Sequence, residues 1–247
     1  MAAARPQTTE GPGGVGGSGG DGPGGTGGEG SPPAFRQAVA DLAGVRPRPE
    51  VRLRQLPAPQ RLAPFSYALE ATVTSLLRAG QESADEPEEL ADGRFVLLHD
   101  PAGQDSWQGT FRVVTLARTE LEPEMAADPL LPEVSWSWLT GALESRSAGY
   151  SEPSGTVTRS GSSFFGGLAD RPQRTELEIR ASWTPHTAAG AAKGASGGAA
   201  DATAAPNLAS HLAAWTELLC QCAGLPPESG DGGAVVPLPQ RRGPQSP

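Results

Sequence analysis

The chain has 247 residues, a formal net charge of −9 from 19 Lys and Arg against 28 Asp and Glu, and only 37% hydrophobic residues. That balance argues against a general nucleic-acid binder, which needs basic surface to displace counterions from phosphates. No apolar run approaches the roughly 20 residues of a membrane span, and the start MAAARPQTTEG lacks the apolar core of a signal peptide, so a cytoplasmic protein with no membrane contact is expected.

The first segment, 1–33, is dominated by GPGGVGGSGGDGPGGTGGEG and cannot bury enough apolar surface to offset chain entropy. It reads as a disordered tail. Its G-x-G-x-x-G match, Gly14 to Gly19, has neither a strand before it nor a helix after it, so it is no dinucleotide fingerprint. AFRQAVADLAG then predicts a short helix. EVRLRQL predicts a strand with Val51 and Leu53 inward and Arg52 and Arg54 outward, a pattern suited to a sheet edge. PFSYALEATVTSLLRAG places Phe65, Leu69, Val73 and Leu76 on one stripe and predicts a helix ending at Gly80. The acidic run QESADEPEELAD follows, and it faces the basic run 46–61 or is solvated with it.

RFVLLH and TFRVVTLA predict a hairpin, with DPAG (100–103) supplying type I turn chemistry. PEVSWSWLTGALES opens with Pro132 and Glu133, a first-turn signature of a helix. In that helix Trp136 aligns with Leu139 and Leu143, whereas Trp138 aligns with Val134 and Ala142. The two rings diverge by roughly 200°: one faces the sheet and the other packs under a loop or stays partly exposed. GTVTRS (155–160) predicts a strand. GSSFFGG (161–167) reads either as a loop over a substrate or as a hairpin tip. RTELEIRASW (174–183) alternates strictly, with Leu177, Ile179 and Trp183 on one face, as expected of a one-sided antiparallel strand. RTELE also occurs at 118–122. The first copy ends a strand and the second begins one, so they are not equivalent units of a repeat. After an Ala/Gly-rich flexible insertion at about 186–206, NLASHLAAWTELLCQCAGLPP predicts a final helix, capped by Asn207 and stopped by Gly224. Its stripe, Leu208, Leu212, Trp215 and Leu219, is expected to meet the apolar face of 174–183. A second disordered tail covers 226–247.

These elements imply one α+β domain, 34–225: a largely antiparallel sheet with helices packed mainly on one face, and disordered tails. Cys220 and Cys222 point apart on the last helix and read as half-buried reduced thiols of a cytosolic protein.

Candidate sites are few. His99 ends an apolar strand beside Asp100, and with one of the carboxylates Glu120, Glu122, Glu124, Asp128 or Glu133 it would make the acid–base pair of a small hydrolase. No Gly-x-Ser-x-Gly elbow accompanies it. The acidic run lacks the spacing of a calcium loop, so no metal and no cofactor is expected. His186 borders the insertion, and His211 stands one position off the helix stripe. Trp136 and Trp138 are candidate anchors for a protein partner, since aromatics are enriched at interface cores. Arg46, Arg48, Arg52 and Arg54 form the one basic stretch that offers an RNA contact.

The blocks PRPEV with PAPQRLAP, the long stretch LLHDPAGQDSWQGTFRVVTLARTELEPEMAADPLLPEVSWSWLTGAL, and ELEIRASWTP followed by HLAAWTELLCQCAGLPP resemble an actinobacterial family, the domain of unknown function number three thousand, over most of 34–225. The resemblance implies no catalytic residue. It carries an association with RNA metabolism through neighbouring genes, and no mechanism. The reading that results is a non-enzymatic binding or adaptor module for a protein partner. The alternatives are the His99 hydrolase and an accessory protein of RNA metabolism.

Overall fold

The computed structural model describes residues 30–75, 87–186 and 205–226. The two predicted tails and the predicted insertion lie almost wholly outside the described residues. Six strands form one antiparallel sheet: β1 (Val51–Leu56), β2 (Phe65–Thr74), β3 (Glu89–Gln104), β4 (Gly109–Leu121), β5 (Tyr150–Ser162) and β6 (Arg174–Pro185). Their order across the sheet is β1-β2-β3-β4-β6-β5. Four helices accompany them: α1 (Pro33–Gly44), the single turn α2 (Pro123–Ala126), α3 (Leu131–Ser145) and α4 (Leu208–Cys222). The α+β class is therefore as the alternation of 174–183 implied.

One face of the sheet is covered. Period-two alternation puts Ala71, Val73, Phe95, Leu97, Val113, Ala117, Leu177, Ile179 and Trp183 on that side, and all are buried in one core with Phe35, Leu42, Leu139, Leu143 and the α4 stripe. The central helix α4 buries eleven of its fifteen residues, so it is covered on most of its circumference. Burying Leu208, Leu212, Trp215 and Leu219 contributes about 1.5–3 kcal/mol each. Trp215 lies against Phe95, ring centroids 5.7 Å apart. It also sits over Gly93 of β3, where an added Cβ would come within 2.9 Å of the indole. At Gly155 of β5 the same arrangement recurs, with the ring of Trp136 at 2.7 Å from the position of a Cβ. Each of these helices thus docks a tryptophan onto a strand glycine.

The α4 stripe shares one core with Leu177, Ile179 and Trp183, and just off the stripe Trp183 Nε1–H donates to His211 Nδ1 at 3.0 Å. Gly224, in the left-handed region at φ 70°, ends the helix, and Leu225 N–H returns to Cys220 O at 2.8 Å. Asn207 stands at the start but makes no side-chain capping bond.

Three local expectations are corrected. Residues 65–74 form strand β2, not a helix. The spacing Phe65, Leu69, Val73 is also compatible with period two, and Tyr67 and Ala71 complete an inward face while Ser66 and Ala68 are buried on the other. As the second strand in from the edge, β2 has neighbours on both sides, which supplies the sheet bonds that a helix period cannot use. The 76–80 part of the predicted helix lies outside the described residues. The reversal between β3 and β4 is at 105–108, not at DPAG. There Asp100 Oδ1 accepts from Ala102 N–H at 3.0 Å, and the pairing register slips between His99 and Gln104, so DPAG is a bulge within a longer hairpin. His211 and both cysteines are buried, not at a boundary. Burial holds the His211 imidazole down to about 4 and pushes the Cys222 thiol up to about 12.

Candidate functional site

No described helix lies on the second face of the sheet. Its residues are the opposite parity of the same strands, and the register aligns them in rows. One row reads Arg54, Glu70, Arg94, Leu116, Arg180, Thr156 from β1 to β5; the row above it reads Leu56, Ala68, Val96, Val114, Ser182, Ser154. Between these rows lies a groove of about 580 Å³, with Val96, Val114 and Leu116 as its floor and Arg94, Arg180, Ser154, Thr156 and Ser182 around it. Val114 is 37% exposed in the middle of a strand at the centre of the sheet. Arg94 and Arg180 stand one strand to either side of Leu116, roughly 10 Å apart at the backbone.

The charge of this surface is opposite in sign to that of the chain. From the row of Arg112 to the row of Arg118 its paired rows carry Arg52, Arg54, Arg94, Arg112, Arg118 and Arg180 against Glu70, Asp92 and Glu178, with Glu152 in the β5 bulge near Arg112. The three carboxylates are taken: Arg54 pairs with Glu70, Arg118 with Asp92 at 2.7 Å, and Arg180 with Glu178 at 2.7 Å. Among the described residues Arg94 and Arg52 have no carboxylate partner. Arg112 is buried, and burial lowers its pKa below the usual guanidinium value despite the field of Glu152.

The sites expected from sequence fall elsewhere. His99 faces the covered side, stacked on Phe111 at 4.1 Å and on Phe35 at 5.8 Å, with Nδ1–H donating to Thr110 O at 2.9 Å. Burial lowers its pKa from the ordinary imidazole value. It pairs with Phe111 at one end of β4, while Glu120 is at the other, about 30 Å along the strand. A His99–Glu120 pair, one form of the hydrolase reading, is not assembled. Among the described residues no three His, Cys, Asp or Glu side chains gather to hold a metal ion, and no helix is long and apolar enough to cross a membrane.

The basic stretch is divided. Arg46 leans on the carbonyls of Ala43, Gly44 and Val45 at the end of α1. Arg48 makes two 3.0 Å bonds to Glu50, which hold the Glu50 carboxyl below its ordinary range, and donates to Pro226 O. Only Arg52 and Arg54 reach the open face, at its β1 edge.

Trp136 and Trp138 are both half-buried against the core on the helical side. Trp136 is the ring that faces the sheet, over Gly155. Trp138 continues a line of exposed apolar residues along α3, Leu130 and Val134 at four-residue spacing. The GSSFFGG segment turns the β5–β6 hairpin and leaves Phe165 80% exposed.

The sequence does not single out the groove residues Arg94, Val114 and Arg180, nor Arg112 behind Ser154 and Ser182, as one site. Each occupies the outward parity of a predicted strand, and the outward Arg180 was legible. The alignment of Arg94 with Arg180 needs the register of three strands at once.

The family model described as "Protein of unknown function (DUF3000)" matches residues 31–232, which include every described element. The chain belongs to this family. No curated protein and no solved structure matches it. The family description assigns no activity, so function rests on the surface just described.

Proposed function

We propose that the protein is a non-enzymatic binding module, and that the open sheet face takes an acidic segment of a partner protein that also carries apolar side chains. The observation that supports this most is the groove floored by Val96, Val114 and Leu116 and flanked by Arg94 and Arg180. The apolar floor favours desolvation of aliphatic groups, and Arg94, which has no carboxylate partner among the described residues, favours an anion beside it, with Arg180 adding charge although it is paired with Glu178. Single-stranded RNA is the other anionic polymer to weigh. It binds sheet faces by stacking bases on aromatic side chains, and the rows around the groove contain none.

The test is fluorescence anisotropy with three labelled probes: a 12-residue peptide of Glu, Leu and Val, the same peptide with Lys for each Glu, and a 12-nucleotide oligouridine. The reading expects saturable binding of the acidic peptide alone, weakening as salt is raised. Binding of the Lys peptide with equal strength, preference for the RNA, or no binding of any probe contradicts it.

A further inference from the structure

Arg112 is the least expected side chain in the sheet. It is 7% exposed, on the open face of a central strand, and its guanidinium holds three neutral hydroxyls: Thr184 Oγ1 at 3.1 Å, Ser154 Oγ at 3.1 Å and Ser182 Oγ at 2.8 Å. A buried charge is costly unless a counter-charge sits near it. No carboxylate lies within ion-pair distance of Arg112 among the described residues. Glu152 is the carboxylate whose field reaches it, from the bulge between Ser151 and Ser154, where its own backbone is left-handed at φ 50°.

Two of the three hydroxyls line the groove. Both accept from the same guanidinium nitrogen, so their lone pairs are turned inward and their protons must go elsewhere. Ser154 and Ser182 lie 3.1 Å apart and share one of those protons between them. The other is left for the groove, backed by a full positive charge. Thr184 does not compete for it, since its own proton goes to Trp107 O.

We propose that Ser154 and Ser182, polarised by Arg112, form an oxyanion subsite at the end of the groove that receives a carboxylate of the bound acidic segment. The subsite rests on the open face being the recognition surface. It adds a point of register: one carboxylate is placed by the hydroxyl pair, and the chain beyond it runs over Val114 and Leu116 between Arg94 and Arg180. Ser154 and Ser182 are then positioning and recognition groups. Arg112 acts through them.

The experiment is a ¹H–¹⁵N NMR titration of the full chain with sodium acetate, with sodium chloride at matched ionic strength as the blank and inorganic phosphate as a second probe. The expected result is saturable shifts of the Ser154, Gly155 and Ser182 amides with acetate, at millimolar affinity, and none with chloride. Ser182→Val removes one hydroxyl and covers the guanidinium, and should abolish those shifts. Arg112→Met should do the same; if that variant does not fold, Ser182→Val carries the test. Acetate shifts that survive Ser182→Val, that chloride reproduces, or that only phosphate produces overturn the carboxylate subsite. Loss of the subsite with acidic-peptide binding intact leaves the groove standing. Acetate binding without peptide binding does the reverse.

Discussion

Arg94 and Phe95 are neighbours in β3, yet they belong to two different surfaces. Phe95 points into a core closed by α4, where Trp215 presses on it and Gly93 makes room for the indole. Arg94 points the other way, onto a face with apolar residues at its centre and arginines about them. The covered face carries the stability: it holds the Leu, Ile, Phe and Trp side chains whose burial offsets chain entropy. The open face is free of that duty. Val114 and Arg94 contribute little packing, so their presence at the centre of the sheet needs a reason other than folding.

Substitutions that separate the two faces should rank accordingly. Leu177→Asp puts a carboxylate into the covered core beside Ile179 and should cost at least about 3–5 kcal/mol, comparable with the ~5–15 kcal/mol net stability of a domain. The expected circular-dichroism melt has no cooperative transition, and a melt close to wild type would break the assignment of that face as the core. Gly93→Ala is smaller, because the new methyl meets the Trp215 ring and the Leu116 carbonyl; about 1–3 kcal/mol of destabilisation is expected from overpacking, read as a shifted urea midpoint.

Acid should find a second weak point on the covered face. His211 accepts the Trp183 N–H at Nδ1, which requires the neutral ring, and its pKa is held down to about 4, by burial first and by His186 second. The unfolded chain takes up that proton near pH 6.5, so the unfolded state binds more protons between 6.5 and 4. The stabilisation is whole above pH 6.5 and is lost as pH falls through that window, about 3 kcal/mol in all. Urea melts of wild type and His211→Gln at pH 7 and pH 4.5 should show the smaller pH-dependence in the variant; parallel behaviour would show that the imidazole is not held neutral.

The smallest effect on stability is expected on the open face. Arg94→Glu with Arg180→Glu removes one exposed ion pair and should move the unfolding free energy by no more than about 0.5 kcal/mol. The same double change should weaken the acidic peptide at least about tenfold, measured by anisotropy, since two attractive charges become repulsive. A large loss of stability with unchanged affinity would erase the distinction between the faces.

Much of the covered face was legible in the chain, and much of the open face was not. Strict alternation in 174–183 and the stripe of 208–219 are one-dimensional patterns that solvent imposes directly, so they predict the sheet, its one-sidedness and the helix that closes it. Residues 65–74 misled because Phe65, Leu69 and Val73 satisfy both periods; only the pairing of β2 with β1 and β3 decides between them. The twin RTELE segments show what register adds. They lie directly opposite each other in antiparallel pairing, which sets Arg118 against Glu178 and brings Arg174 to Glu120 at 3.5 Å. As repeats they are not equivalent; as partners they lie in register, with Glu120 opposite Glu176 between the two oppositely charged ends. The groove has the same origin. Arg94, Leu116 and Arg180 are distant in sequence and become one row only when three strands are aligned, whereas His99 and the acidic run, suggestive on paper, end up at opposite ends of β4.

The most direct measurement is NMR mapping of the bound acidic peptide on the full-length protein. Shifts should concentrate at the amides of Arg94, Val96, Val114, Leu116, Arg180 and Ser182, with the α3 line of Leu130, Val134 and Trp138 unmoved. Shifts confined to that helical line, with the sheet amides unchanged, would contradict binding on the open face.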